Sequence, residues 1–172
     1  MPSDSEFQQL LDERDIRNVL HRYAKGVDRF DWELVRASFH PDAVLEYGAK
    51  TTPEAFIAGA SVGLANYALT QHAISNVIIE VDGDYAHAQS YCLARHRTPS
   101  RDGGAAIDFL WGGRYVDRFV RRDGAWRIAH RVVVHEWTAL ETVEATWPNA
   151  AAFTQGRRDR EDISYAPWRP VT

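Results

Sequence analysis

The stretch that decides the fold is GGRYVDRFVRRDGAWRIAHRVVV, residues 112–134, where two runs of β-forming residues flank Asp123-Gly124. An Asp-Gly pair between two such runs is a strong short-range signal for a β-hairpin. Gly112 and Gly113 lie inside the first run, where glycine indicates a bulge or a bend that curves the sheet. The stretch therefore predicts a long, curved antiparallel hairpin.

The preceding stretch repeats this pattern. Residues 71–97, QHAISNVIIEVDGDYAHAQSYCLARHR, hold two β-type runs joined by the turn sequence Asp82-Gly83-Asp84. Two consecutive hairpins that follow a helical first half indicate an α+β fold, because helices and strands segregate along the chain in that class.

The first helix signal lies in residues 10–26, LLDERDIRNVLHRYAKG. Asp12 has the position of an N-cap, and the apolar residues after it follow helical spacing as far as Tyr23. Three apolar residues on the opposite face indicate a separate N-terminal turn or short helix: Phe7, Leu10 and Leu11. Five helical residues turn roughly 500°, so Tyr23 and Asp28 can face one pocket only if the helix ends between them. Gly26 offers that end, and we expect Asp28 just beyond it.

Two more helices are predicted before the hairpins. Asp31 is a plausible N-cap for a short second helix, which HPDA at residues 40–43 should stop. A short strand is expected at residues 43–48. Thr52 as the cap and Pro53 at the first helical position then indicate a third helix.

Composition narrows the class of protein. The 172 residues carry a net charge of −4 and 45% hydrophobic residues, which indicates one compact domain with a sizeable core. No segment is strongly basic, so nucleic acid and anionic membranes are not expected as partners. No apolar run reaches the roughly 20 residues that span a bilayer, and the polar N-terminus is unlike a signal peptide. The single cysteine, Cys92, excludes an intramolecular disulfide and fits a cytoplasmic location.

We expect residues 1–145 to form the domain and residues 146–172 to form a C-terminal tail. The tail contains prolines and shows no periodicity, so it is not expected to continue the sheet. Its aromatic residues predict that it packs on the domain or on a partner subunit: Trp147, Phe153, Tyr165 and Trp168.

The sequence indicates neither a metal nor an organic cofactor. His130 and His135 are five residues apart in a strand run and should face opposite ways, and no local H-x-H or H-x-x-x-H pair occurs. There is also no P-loop, dinucleotide fingerprint or G-x-S-x-G motif.

Three helices followed by DGDYAHAQSY and GGRYVDRFVRRDGAWRIAHRVVV resemble the SnoaL-like branch of the nuclear transport factor 2-like superfamily, over roughly residues 8 to 140. The resemblance implies a cone-shaped α+β barrel, with three N-terminal helices packed in a curved, mostly antiparallel sheet. It also implies an open mouth for a small hydrophobic substrate and a homo-oligomer, a dimer or trimer.

Within that superfamily, a branch of dehydratases and dehydrochlorinases matches Asp28 in GVDRFD and His72 in QHAISN. The resemblance implies that His72 is the general base and that Asp28 orients it, as the acid does in a Ser-His-Asp triad. Tyr23 falls where bile-acid 7α-dehydratase carries a tyrosine, and it would assist the leaving group or polarise a carbonyl. An arginine of the dehydrochlorinase falls at Val134, whereas Arg131 and His135 should face the other way.

Other residues are candidates for the substrate pocket, with ordinary core packing as the alternative for each. They are Trp32, Tyr47, Phe56, Trp111, Tyr115, His130 and Val134.

These features together predict a cofactor-independent lyase that dehydrates a small, hydrophobic, aromatic or polycyclic hydroxylated substrate. Carbon–carbon cleavage that releases formaldehyde from a lignin-derived diarylpropane diol is a variant in the same pocket. One alternative is a ketosteroid-type isomerase, which would use a carboxylate to shuttle the proton. Another is a non-catalytic binding or assembly module, like the small subunit of a ring-hydroxylating dioxygenase, whose pocket would be filled by side chains.

Overall fold

The computed structural model describes residues 3–100, 104–143 and 147–167. In these ranges three α-helices pack against a curved six-stranded sheet, which confirms the predicted α+β class. In chain order the elements are α1 (Asp4–Arg29), α2 (Trp32–Arg36), β1 (Phe39–Tyr47), β2 (Ala49–Thr51), α3 (Pro53–Leu64), β3 (Leu69–Asp82), β4 (Tyr85–Arg97), β5 (Ala106–Arg122) and β6 (Ala125–Val143).

The sheet has the strand order β2-β1-β6-β5-β4-β3. All neighbouring strands run antiparallel except β1 and β6, which are parallel. β2 and β3 remain the two edges, so the sheet forms an open cone rather than a closed barrel. The two predicted hairpins are the pairs β3–β4 and β5–β6, with turns at Asp82-Gly83-Asp84 and Asp123-Gly124.

Helix α1 begins upstream of the predicted start. Ser3 is its N-cap and forms a capping box with Glu6, in which the Glu6 carboxylate accepts the Ser3 backbone N–H at 2.7 Å. The predicted N-cap at Asp12 and the separate N-terminal turn are therefore wrong. Asp12 lies inside the helix, buried, where it accepts hydrogen bonds from Trp126 Nε1 at 2.9 Å and from Arg121.

The predicted helix end at Gly26 is also wrong, because α1 continues unbroken to Arg29. A Cβ atom at position 26 would lie 2.8 Å from Val35 Cγ2 and 3.0 Å from the backbone oxygen of Asp31. The glycine therefore permits close packing of α1 against α2. The chain leaves the helix at Phe30, which has the left-handed conformation with φ 55°.

The caps of the two shorter helices are confirmed. The Asp31 carboxylate accepts the backbone N–H of Leu34, and Thr52 caps α3 with Pro53 as its first residue. Residues 40–43 lie in β1, so this strand begins earlier than the sequence predicted.

Two bulges reset the faces of β6. The predicted irregularity at Gly112 and Gly113 is confirmed, with the extra residue at position 136 of the partner strand. A second shift leaves Ala129 without a partner on β5, since Arg118 pairs with His130 and Phe119 pairs with Ile128. Each extra residue exchanges the inward and outward faces of the strand beyond it.

The described part of the C-terminal tail contains two short 3₁₀ turns, Ala150–Ala152 and Ile163–Tyr165. Trp147 and Phe153 are largely exposed there, and Trp168 lies outside the described residues. Among the helices described, none is long and apolar enough to cross a membrane.

Candidate active site

A cavity of about 770 Å³ lies between α3, α1 and the concave face of the sheet. Helix α3 contributes small residues to its wall: Ala55, Gly59, Ala60 and Gly63. A Cβ atom at Gly59 or Gly63 would meet no heavy atom within 4 Å, so the two glycines leave open space. The opposite wall is aromatic, with Trp111 and Tyr115 stacked at a centroid distance of 6.3 Å.

His72 and Asp28 form a tightly bonded pair beside this cavity. Nδ1 of His72 lies 2.7 Å from Asp28 Oδ1, and the backbone N–H of His72 donates to Asp28 Oδ2 at 2.8 Å. The two side chains are 9% and 11% exposed, so little water competes for these bonds. Since both carboxylate oxygens are bonded to His72, the ring is fixed in orientation, and Nε2 is its free nitrogen.

Asp28 is ionised in this setting. Burial acts to raise the pKa of its carboxyl, but the hydrogen bonds and charge of His72 outweigh burial and hold the pKa below its usual value. When the ring is neutral, the carboxylate acceptor selects the tautomer with its proton on Nδ1 and a lone pair on Nε2. Because His72 lines the cavity, this is the tautomer that a general base needs there.

Tyr23 and Asp28 do not meet, contrary to the arrangement expected from a helix break. Asp28 lies behind His72, whereas Tyr23 lies on the cavity and its hydroxyl is 2.7 Å from that of Tyr47. Burial raises the pKa of Tyr23 well above its usual value and raises that of Tyr47 as well. The two phenols therefore stay protonated and form a hydrogen-bonded pair.

Arg131 is a residue of this site that the sequence reasoning missed, because it was expected to face away. It is fully buried beneath the tyrosines, with its guanidinium carbon 4.3 Å from the ring centroid of Tyr23 and 4.1 Å from that of Tyr115. Two bonds to Asp117, at 2.7 and 2.8 Å, hold it there. Burial acts to lower the pKa of Arg131, but Asp117 outweighs it, so the pKa is raised and the group stays charged.

The bulge at Ala129 explains this omission. Ile128 is buried on the concave face, and regular alternation from it would bring His130 and Val134 inward. The extra residue reverses the alternation, so Arg131 faces inward and Val133 lines the cavity instead.

Four of the predicted pocket residues do line the cavity: Tyr47, Phe56, Trp111 and Tyr115. Three do not. Trp32 stacks on Phe30 at 5.3 Å, Val134 faces away from the cavity, and His130 bonds to Glu46 on the outer face at 2.8 Å. His135, expected to face away, lines the cavity with Val133.

His96 is a second histidine of the cavity wall that the sequence reasoning did not select. Its ring centroid lies 5.3 Å from that of His72, in an edge-to-face arrangement. Burial lowers the pKa of His96 to about 4, with a smaller contribution from His72, so the ring is neutral near pH 7. Its position on the concave face was predictable from His72, because Thr70 pairs with His96 and both strands alternate regularly there.

The cavity wall is free of formal charge in the described ranges, since it contains no Lys, Arg, Asp or Glu. Nor do three or more His, Cys, Asp or Glu side chains of residues 3–100, 104–143 and 147–167 come together as a group that could hold a metal ion. The polar side-chain atoms of the cavity wall belong to tyrosine, histidine and Trp111, and they form hydrogen bonds without a fixed charge.

An open α+β cone with an apolar cavity in its hollow is the architecture of the nuclear transport factor 2-like superfamily. Within it, the chain belongs to the SnoaL-like domain family, whose family model matches residues 8–132. Uncharacterised protein Rv2910c of Mycobacterium tuberculosis (strain ATCC 25618 / H37Rv) is 28% identical over 129 residues, which cover 72% of this chain and 85% of that protein.

Two solved structures illustrate the similarity of fold. One, from Novosphingobium aromaticivorans DSM 12444, has been assigned as a scytalone dehydratase; it is 25% identical with a TM-score of 0.68, and the match covers 83% of this chain and 95% of that one. The other is a type 2 hexachlorocyclohexane dehydrochlorinase, 20% identical with a TM-score of 0.71, for which the match covers 84% of this chain and 99% of that one.

Proposed function

We propose that this chain is a cofactor-independent lyase that removes water from a small, neutral, hydrophobic hydroxylated substrate of aromatic or polycyclic type. The observation that carries the proposal is the 2.7 Å bond between His72 and Asp28 beside an open, largely apolar cavity. The two structural neighbours named for dehydration and dehydrochlorination belong to the same general class of elimination.

The reaction begins at His72. Its Nε2 takes a proton from the substrate carbon next to the one that bears the hydroxyl. The electron pair of that C–H bond forms the new double bond. The hydroxyl leaves with the electrons of its C–O bond and a proton from Tyr23 or Tyr47, as water, and the proton held by His72 then restores the phenol. Asp28 stabilises the imidazolium that forms in this step, which supports a rate gain on the order of 10² to 10⁴.

The Tyr23–Tyr47 pair assists the departure of the leaving group or polarises a carbonyl of the substrate. A phenol with a raised pKa is a hydrogen-bond donor rather than a base, so Tyr23 or Tyr47 can donate to the leaving hydroxyl or to a carbonyl oxygen that becomes an enolate. Arg131 lies directly below Tyr23 and adds a fixed positive charge. A buried charge placed before the reaction stabilises negative charge that develops nearby in the transition state.

The same base accommodates the variant with carbon–carbon cleavage. There His72 would take the proton of a hydroxymethyl O–H, the C–C bond would break to release formaldehyde, and its electron pair would form the double bond that expels hydroxide. Both reactions release water but only this one releases formaldehyde, so one assay for formaldehyde separates them.

The other two candidate functions have less support. A ketosteroid-type isomerase needs a carboxylate that reaches the substrate, but the described cavity wall contains none, and Asp28 is held behind His72. An assembly module is expected to have a pocket filled by its own side chains, whereas this cavity offers about 770 Å³.

The test is a screen of neutral hydroxylated aromatics and steroids for elimination without added cofactor, read by mass spectrometry as loss of water or release of formaldehyde. We expect His72→Ala to lower turnover on the order of 10²-fold or more. His130→Ala, on the outer face of the same sheet, should retain the rate. Full activity in His72→Ala would reject the proposed base.

A further inference from the structure

Arg158 of the C-terminal tail connects three elements of the fold. Its guanidinium donates to the backbone carbonyl of Leu64 at 2.9 Å and to that of Tyr67. The same group lies over the ring of Phe30, with 3.8 Å between the guanidinium carbon and the ring centroid. Arg158 thus joins the tail to the end of α3 and to the residue that terminates α1, although it lies beyond the residues that match the family model.

The carbonyls that Arg158 binds belong to the wall of the cavity. Leu64 is the last residue of α3, and Tyr67 lies in the connection to β3; both line the cavity. The ring of Tyr67 lies 5.2 Å from that of His96, which in turn packs on His72. The Leu64 carbonyl also accepts the backbone N–H of Tyr67 at 3.2 Å, and Asn66 donates to the carbonyls of Val62 and Gly63. Arg158 adds a charged donor to this helix end and connects it to the tail.

The tail holds Arg158 in place through a second anchor. Asp31 is buried and accepts hydrogen bonds from Arg160 at 2.8 Å and from the Tyr165 hydroxyl at 2.9 Å, in addition to capping α2. On the N-terminal side of Arg158, Arg29 donates to the backbone carbonyl of Arg157 at 3.0 Å, so this short segment is anchored on both sides. The guanidinium of Arg158 is therefore fixed relative to α1 as well as to α3.

We propose that Arg158 is a positioning residue for the cavity, because it fixes the α3–β3 connection and thereby keeps Tyr67 packed against His96. The inference rests on the proposed function only in assuming that the cavity receives a ligand. The C-terminal tail would therefore contribute to ligand binding through Arg158, which acts through Tyr67.

The experiment measures binding of 2-naphthol, a neutral bicyclic phenol, by calorimetric titration of the full-length protein. We expect Arg158→Ala to raise the Kd about tenfold, because the variant loses hydrogen bonds from a charged donor that hold the cavity wall. Arg158→Lys keeps a charged donor and should recover part of the loss. Arg157→Ala is the matched control, because the side chain of Arg157 pairs only within the tail, with Asp159 and Glu161, among the contacts described.

A double-mutant cycle separates positioning from a general loss of structure. In a Tyr67→Ala background, Arg158→Ala should change the Kd by less than about twofold, because the tyrosine through which it acts is gone. An equal loss with and without Tyr67, or the same loss in Arg157→Ala, would overturn the proposal.

A ligand-free measurement keeps the proposal testable if 2-naphthol does not bind. That result would count against the expected ligand class and thus against the proposed function. The ring resonances of His96 in NMR spectra should still shift in Arg158→Lys and Arg158→Ala and stay in place in Arg157→Ala. Unchanged His96 resonances in every folded variant would reject the role of Arg158.

Discussion

Two histidine–carboxylate pairs occupy opposite faces of one sheet. His72 and Asp28 are 2.7 Å apart on the concave side, and His130 and Glu46 are 2.8 Å apart on the outer side. The first pair is 9% and 11% exposed, and the second is 28% and 32% exposed. Bond length therefore does not distinguish a candidate catalytic pair from a surface contact. Burial does, together with the second bond that the His72 backbone N–H donates to the carboxylate.

The largest expected effect comes from removing the charge of each carboxylate in turn. Asp28→Asn should lower turnover on the order of 10² to 10⁴-fold, because the amide stabilises neither the required tautomer nor the imidazolium. Glu46→Gln removes the equivalent charge from the outer pair and should leave turnover unchanged. Initial rates with a substrate from the elimination screen measure both, and similar rates for the two variants would remove the distinction between the pairs.

A second prediction concerns the pH dependence of the free energy of unfolding, to which His96 on the concave face contributes. Its pKa falls from 6.5 to about 4 on folding, so the unfolded chain binds more protons between these values. The contribution to stability is fully present above pH 6.5 and is lost as the pH falls toward 4, by at most about 3 kcal/mol.

His96→Gln, which cannot titrate, tests this dependence. The free energy of unfolding, from urea titrations at pH 7 and pH 4.5, should fall less with acid in the variant than in the unsubstituted protein. Equal losses in the two proteins would mean that folding does not perturb His96.

The smallest expected effect tests the cavity itself. Gly59 lies inside α3, where glycine costs about 0.5–1 kcal/mol relative to alanine, yet its missing side chain leaves only open space. Gly59→Ala should therefore raise the free energy of unfolding by roughly that amount, measured by urea denaturation.

Gly59→Leu tests whether the cavity distinguishes the His72–Asp28 pair from the His130–Glu46 pair. The larger side chain should fill part of the cavity and weaken 2-naphthol binding, while His72 and Asp28 stay bonded. If Gly59→Leu retains both 2-naphthol binding and turnover, the space next to α3 does not distinguish the His72–Asp28 pair from the outer pair.

The order of elements followed from local sequence signals. Thr52-Pro53 determines how α3 begins, and the Asp-Gly turns determine both hairpins, because these features depend on neighbours along the chain. The partnership of Asp28 with His72 came from family resemblance, since 44 residues separate them and no local pattern connects them.

The errors arose where distant residues decide the structure. In the sequence Gly26 indicates a helix end. In the structure glycine is needed there because a Cβ atom would collide with Val35 of α2. The single extra residue at Ala129 has no periodic signature, and it reverses the inward and outward faces of the following residues. A sequence pattern could therefore locate β6 but could not determine that Arg131 faces the core.

The parallel pairing of β1 with β6 has a consequence for the order of folding. Leu45 of β1 pairs with Arg131 of β6. Strand β1, which carries Tyr47, can therefore join the sheet only after the β5–β6 hairpin has formed. Contacts between segments so far apart along the chain form slowly. On the ribosome, the helices and the first hairpin emerge before β6 exists. The Tyr23–Tyr47 pair and Arg131 beneath it can therefore come together only after β6 has been made.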